Sequence, residues 1–512
     1  MPTILFVGVG SLLSDRDTTA PSGARRDAGR ARRLAGLAAL GAAGSGFLAL
    51  ASDLPASPYG PRASGVWPLS GSARPPGWEG PAEPTWAGPA NFGPGVAHVH
   101  LLVLTTAVLG LALLATGWLL AWRLVRSDPT LGWRSLWWVV AAWTAPLLLA
   151  APFASQDVWV YVAQGKVAAS GLSASTSIGV LGHHSAWLSA VDPRYLTGPS
   201  IYGPGAFDLS GLTAVLSGGH PWIAVEGWRV LIIAALVLCG WGVARAATVR
   251  GGNPTEAVVA GVANPAVLIV FVGGIHNDAL MIGLVVAGVA CAVAKRPWWA
   301  LCLAALAVTV KAPAGLAVLA IAWWSWQGSW RRRSTFLLGG IALTGGALVV
   351  GGMVTGSDGF GWLRSASQAT VASSFSLLNL TGNDSSRVAN LLQLAGIAIA
   401  VGIVLALPRR ASWVGALALA FGVMAVFATN PQPWYVLWAL PLLACTGCDP
   451  RLRRAAICIL CAMVTWSVLP FGNLVWFAGI AALMWTLARW EHQREAARSR
   501  AAALVPAAAR TI

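Results

Sequence analysis

Long apolar blocks fill most of this chain, and polar residues interrupt them at only a few places. Blocks of about 20 apolar residues are the signature of helices that cross a bilayer. The pattern predicts about fourteen apolar helices, some of them short, at 34–52, 98–122, 136–153, 224–246, 256–272, 278–294, 298–311, 313–326, 335–354, 388–407, 412–428, 434–446, 455–469 and 474–489. Between the seventh and eighth the pattern breaks at Lys311-Ala312-Pro313. Proline disfavours helix at the residue before it and donates no backbone hydrogen bond. That stretch therefore reads as a helical hairpin with Lys311 at its tip. Segment 54–97 is too dense in Pro and Gly for a regular element, and 154–223 reads as a second large loop. The expected fold class is an all-α integral membrane protein, a bundle of about 12–14 transmembrane helices spanning 34–490.

Composition excludes the soluble alternatives. Only 10% of residues are charged, against about 25% in soluble domains, and the mean hydropathy is +0.67. The net charge of +16 suggests nucleic acid at first sight. The basic residues instead sit in short clusters beside apolar stretches, the pattern of membrane topology, so no nucleic-acid partner is expected. Cys445 and Cys448 form a CxxC with Cys458 and Cys461 nearby. A zinc site takes about four ligands in a polar setting, whereas these lie in or beside apolar helices and read as packing residues.

Charge also orients the bundle. With the N-terminus inside, alternate connections and both tails hold 26 of the 34 basic residues, the asymmetry of the positive-inside rule. The eight others are Arg62, Arg74, Lys166, Arg194, Arg229, Lys311, Arg364 and Arg387. Residues 1–33 then read as a disordered cytoplasmic tail, and 491–512 as a second cytoplasmic tail. Loops 54–97 and 154–223, segment 355–387 and the tips near 273–277 and 429–433 face outward. The protein is expected as a multi-pass protein of the plasma membrane.

The outward face collects the polar minority. It holds Asp157, Tyr161 and Gln164, which share one helical face at i, i+4, i+7 spacing. It also holds Asp192 and Arg194 in VDPRY, Tyr202 in SIYGP, His276, Asn277 and Asp278 in GGIHNDA, Lys311, and Gln432, Trp434 and Tyr435 in NPQPWY. A carboxylate at the mouth of a membrane helix is costly unless paired, solvated or used, which singles out Asp157. Gly273, Gly274 and Asn277 suit a turn; His276 and Asp278 have no such reason. No second ligand pair of fixed spacing accompanies them, so no metal is assigned. Lys311 either snorkels to the interface or captures an anion such as a lipid phosphate. A transferase using a lipid-phosphate sugar needs a carboxylate to take a hydroxyl proton, groups for the leaving phosphate and a groove for a lipid tail.

The motifs SQDVWVYVAQGKVAASG, VDPRY, PSIYGP, ANPAVLIVFVGGIHNDALMIG, VKAP and NPQPWYVLWALPLLA, in this order, resemble the polyprenol-phosphomannose-dependent alpha-1,6-mannosyltransferases of the MptA/MptB type, of the GT-C class of multispanning glycosyltransferases. The resemblance covers roughly residues 95–490. It implies a GT-C-like bundle with its active site in outer-face loops. It implies inverting transfer of mannose from polyprenyl-phosphate mannose to a lipid-anchored mannan in alpha-1,6 linkage, as in lipomannan and cell-wall biosynthesis, with membrane lipid around the site and no metal or other cofactor. Asp157 corresponds to the catalytic base, with Asp192 of the same loop as its rival. Lys311, His276, Asn277, Asp278 and Tyr202 fall on the donor-phosphate side, and Tyr161, Gln164, Asp192, Arg194, Gln432, Trp434 and Tyr435 on the substrate side. The alternatives are a GT-C transferase using another polyprenyl-phosphate sugar, or a lipid-sugar transporter or flippase. Transporters often carry internal repeats and midplane polar residues; this chain shows no repeat, and its polar residues gather at one face.

Overall fold

The computed structural model describes residues 22–54, 57, 59, 97–153, 155–182, 184–324, 329–356, 359–363, 375–377, 385–407, 412–446, 449–469 and 472–503. The expectations for residues 1–21, for most of the 54–97 loop and for residues 364–374 lie outside them. Every regular element among the described residues is helical. In chain order these are α1 (Ser22–Asp53), α2 (Ala97–Ser127), α3 (Trp137–Leu149), α4 (Asp157–Ala169), α5 (Pro204–Leu216), α6 (Pro221–Val249) and α7 (Pro254–Gly261). Next come α8 (Pro265–Gly273), α9 (Asp278–Val293), α10 (Pro297–Val310), α11 (Gly315–Trp324), α12 (Trp330–Val354), α13 (Ser386–Ala406) and α14 (Trp413–Val426). A 3-10 segment, Pro433–Trp438, leads to α15 (Leu440–Ala444), α16 (Pro450–Ser467) and α17 (Gly472–Ala503).

The all-helical, multispanning fold is as expected. Five helices are long and apolar enough to cross a membrane, or up to six if the bent pair α7–α8 is one span. The other apolar stretches form shorter helices, because proline or glycine interrupts them. The expected helix 256–272 is two pieces bent by 48° at the Asn264-Pro265 break, and the second piece finishes as a π-helix, Leu268–Gly273. The expected helix 434–446 is instead a 3-10 segment followed by five α-helical residues.

The expected loop 154–223 is not irregular. It carries α4 and α5, which pack so closely that a Cβ on Gly165 would collide with the Ser210 carbonyl. Helix α1 begins at Ser22, inside the expected disordered tail, and α17 runs on to Ala503. The hairpin at Lys311 is present. A Cβ on Gly288 would meet both Ala300 of α10 and Ile321 of α11, and one on Gly340 would meet both Leu301 and Val318. These contacts require α11 to fold back along α10.

The helix directions give the bundle two distinct ends. At one end Arg30 of α1 pairs with Asp128 beyond α2. There too Glu256 of α7 accepts from Trp122 Nε1 at 3.2 Å and lies 3.7 Å from Arg453 of α16. The amides of Leu452 and Arg451 donate to Asp449, capping α16 and holding that carboxyl below the ordinary value. The opposite end carries the α3–α4 connection, the α8–α9 tip, Lys311 and the 3-10 segment.

Helices α1 and α2 touch through glycines. A Cβ on Gly44 would lie 2.6 Å from the Leu114 nitrogen and 2.9 Å from the Gly110 carbonyl oxygen. Overpacking of this kind costs about 1–3 kcal/mol. Gly44→Val is therefore expected to lower the thermal midpoint of the detergent-solubilised protein by several degrees. Gly46→Val, which meets nothing within 4 Å, should leave it nearly unchanged. Equal midpoints for the two variants would refute this packing.

Candidate active site

Helix α4 starts at Asp157, and the amide of Asp157 donates to Ser155 Oγ at 3.2 Å. A carboxylate in a first turn is favoured by the helix dipole. Its Oδ2 lies 3.3 Å from His276 Nδ1, with the Asp157 side chain 23% exposed and that of His276 2%. His276 is carried by a constrained tip. The Gly274 amide donates to Ile269 O at 2.9 Å, closing the π-helix, and the Phe153 amide donates to Gly273 O at 2.8 Å. Between them and His276 stands Ile275 at φ 55°, fully buried. A β-branched residue at positive φ is a genuine outlier, and such strain persists where the surroundings over-determine it, typically at functional sites. The Trp434 ring covers the imidazole with centroids 4.3 Å apart.

An ion pair lies beside the Asp157–His276 contact. Lys311 Nζ donates to Asp278 Oδ1 at 2.8 Å, and Trp438 Nε1 donates to the same oxygen at 2.6 Å. The ammonium sits over the rings of Tyr435 and Trp438, 4.8 and 5.6 Å from their centroids. Lys311 reaches this position because the backbone is extended there (φ −155°, ψ 133°) between α10 and the turn at Pro313. The two pairs form one site. Rings run continuously from His276 through Trp434 and Tyr435 to Trp438, and both Asp157 and Asp278 act electrostatically on the Tyr161 and Tyr435 hydroxyls.

The other sequence candidates separate into two groups. Asp157, Tyr161, Tyr202, His276, Asn277, Asp278, Lys311, Trp434 and Tyr435 come together. Tyr161 is 1% exposed and packs against Tyr202 and Trp228, with centroids 4.9 and 5.1 Å away. Asn277 is fully buried, and neither atom of its side-chain amide meets a hydrogen-bond partner among the described residues. Gln164 lies apart: its Oε1 accepts from Ser200 Oγ at 3.2 Å, tying α4 to the Tyr202 segment. Asp192 is 2% exposed at the start of a 3-10 turn, so it is sealed where Asp157 is open. Gln432 donates to Asn430 Oδ1 at 2.9 Å beside the 3-10 segment. The side chain of Arg194 lies outside the described residues. Among the described residues no group of three or more His, Cys, Asp or Glu is placed to hold a metal ion.

Sequence reasoning missed Trp438, Ser155 and Phe153. Trp438 had a legible signal: residues three apart eclipse on a 3-10 helix, so Tyr435 and Trp438 present one aromatic face. Ser155 and Phe153 act through backbone contacts that no side-chain pattern announces. A small apolar pocket beside His276 is lined by Phe153, Ile269, Val270, Trp434 and Val464.

With this geometry in place, comparison with known proteins is specific. The sequence model of the N-terminal domain of the alpha-(1→6)-mannopyranosyltransferase MptA/MptB family matches residues 65–327, and that of the MptB C-terminal domain matches residues 366–491. The chain is 28% identical over 406 residues to alpha-(1→6)-mannopyranosyltransferase A of Mycobacterium tuberculosis, covering 73% of this chain and 76% of the relative. It is 28% identical over 422 residues to a probable alpha-(1→6)-mannopyranosyltransferase of Mycolicibacterium smegmatis, covering 71% and 74%. It is 34% identical over 182 residues to alpha-(1→6)-mannopyranosyltransferase A of Corynebacterium glutamicum, covering 36% and 37%. The chain belongs to this family of mannosyltransferases.

The Lys311–Asp278 pair yields a stability prediction. Removing one partner of a buried pair leaves an uncompensated charge and costs about 3–5 kcal/mol, whereas replacing both by apolar groups is often neutral. Lys311→Met is expected to lower thermal stability in detergent strongly, and adding Asp278→Leu should restore most of the loss. A double variant no more stable than the single one would show that the pair does not couple.

Proposed function

We propose that the protein moves a mannosyl residue from polyprenyl-phosphate mannose to a hydroxyl of a lipid-anchored mannan, forming an alpha-1,6 linkage with inversion at the anomeric carbon. The observation that carries this reading is the half-open Asp157 carboxylate held against His276, one ring chain away from the Lys311 ammonium. Asp157 accepts the proton of the acceptor hydroxyl as its oxygen attacks C1 of the sugar. The C1–O bond to phosphate breaks, and the electron pair leaves with the polyprenyl phosphate. Attack from the face opposite the leaving group converts a beta-linked donor into an alpha-linked product.

Each neighbour has a part in this scheme. His276 orients the carboxylate. Lys311 gives one ammonium hydrogen to Asp278 and, with three donors in all, retains others for the leaving phosphate. Its ammonium is fixed beforehand by Asp278 and by two ring faces, so little reorganisation accompanies charge development. Trp434 offers a flat apolar face for a sugar ring. Tyr161 and Gln164 tie α4 to the segment of Ser200 and Tyr202. The reaction runs on the outer face of the plasma membrane, because the basic clusters lie at the other end of the bundle. The donor's polyprenyl chain lies in the surrounding lipid, and no metal takes part in the scheme.

Membranes containing the protein are expected to transfer labelled mannose from polyprenyl-phosphate mannose to a mannan acceptor, and poorly from other polyprenyl-phosphate sugars. Asp157→Asn should lower the rate by about 10²–10⁴, the usual contribution of general acid–base catalysis, with donor binding retained. Undiminished transfer by Asp157→Asn would remove the carboxylate from the chemistry.

A further inference from the structure

Arg229 is one of the basic residues that the topology leaves outside the cytoplasmic clusters, and the proposed transfer reaction makes no use of it. It sits on α6 within the bundle with its side chain 1% exposed. An ionisable side chain at such depth is a functional candidate by default. Three bonds of its guanidinium define the local geometry. Nη1 donates to Leu148 O at 2.7 Å and to Glu226 Oε1 at 2.5 Å, and Nη2 donates to Ala150 O at 2.8 Å.

The two carbonyls are informative. Helix α3 ends at Leu149, with Pro146 inside its last turn, and Ala150 turns extended (φ −78°, ψ 152°). The final carbonyls of a helix have no partner within it, and in an apolar environment each unmet group is costly. The guanidinium fork satisfies one carbonyl on each side of the helix end, a geometry that a lysine ammonium does not match. It therefore fixes both where α3 stops and the direction the chain takes afterwards.

The chain runs from that stop directly into the site. Three residues beyond Ala150, the Phe153 amide holds Gly273 O, two residues before the strained Ile275 and three before His276. Seven residues beyond Ala150, Asp157 opens α4. The residue next to Arg229, Trp228, packs on Tyr161, one turn along α4 from Asp157. One short stretch of α6 thus grips the connection that leads into Asp157 and that, through the Phe153 amide, holds the tip carrying His276.

We propose that Arg229, balanced by Glu226, is a positioning residue for mannosyl transfer: by clamping the Leu148 and Ala150 carbonyls it sets the separation of Asp157 and His276. This role rests on the mannosyl-transfer reading of the site. The double variant Arg229→Met with Glu226→Gln removes the clamp without leaving a buried charge unpaired. A misplacement of about 1 Å costs on the order of 10²-fold in rate. The double variant is therefore expected to bind donor with KM within about twofold of wild type and to lose about 10²-fold in kcat. Arg229→Lys, which keeps the charge and can reach one carbonyl, should recover part of that kcat at unchanged KM. A folded double variant with wild-type kcat, or a loss confined to KM, overturns the proposal. If the double variant is not recovered as a monodisperse protein, Arg229→Lys decides: reduced kcat at unchanged KM supports positioning, and full activity overturns it. Absence of transfer by the wild-type protein would instead refute the assigned reaction.

Discussion

A charge inside an apolar helical bundle persists only when something on the protein answers it, and that constraint organises this molecule. Isolated charges in a low-dielectric interior cost far more than any single contact returns. The bundle answers three carboxylates at one end: Asp157 with His276, Asp278 with Lys311, and Glu226 with Arg229. None of these anions is left to water alone, and each pair draws different helices together. The first joins α4 to the α8–α9 tip, and the second joins α9 to the α10–α11 hairpin. The third stays within α6 and reaches the end of α3 through the carbonyls Arg229 holds.

The helices are broken so that these pairs can meet. A continuous helix through Lys311 would place it along a helix flank; its own extended backbone, just before the turn at Ala312–Ala314, makes it a tip. The α7–α8 bend and the π-helical end of α8 shift the Gly273 carbonyl into reach of the Phe153 amide. The 3-10 segment after Pro433 sets Tyr435 and Trp438 on one face, where they cover Lys311 and Asp278. Irregular backbone at membrane depth is tolerated where it is enclosed by protein or lines a cavity, and here it is concentrated around the site.

Much of this arrangement was legible in the sequence, and the omissions have identifiable causes. The apolar blocks predicted the helical class, and Lys311-Ala312-Pro313 predicted the hairpin, because proline acts locally. Asp157, the HND tip, Lys311 and NPQPWY stood out because charge and amide groups are rare in such a chain, and the fold brings representatives of all four together. Helix α5 was read as loop, and α4 was legible only as a polar helical face within that loop: each has 13 residues and too little apolar length to register as a span. The Lys311–Asp278 bond was not legible, since the pairing of residues 33 apart depends on how α9 and α10 pack. Nor was the Arg229 clamp, because its partners are backbone carbonyls, which every residue possesses.

The arrangement also distinguishes the carboxylates of the site. Asp278 is 1% exposed and its Oδ1 already accepts from an ammonium and an indole. That oxygen is already occupied by two donors, and the pairing holds the Lys311 ammonium in place. Asp192 is sealed from any incoming hydroxyl. Asp157 lies beside one imidazole and is 23% exposed, so it is the most accessible of the three. The asymmetry comes from position: Asp278 lies at the centre of the aromatic cluster, while Asp157 lies at its rim, where α4 begins. The same packing that encloses Asp278 and Lys311 therefore leaves Asp157 partly exposed.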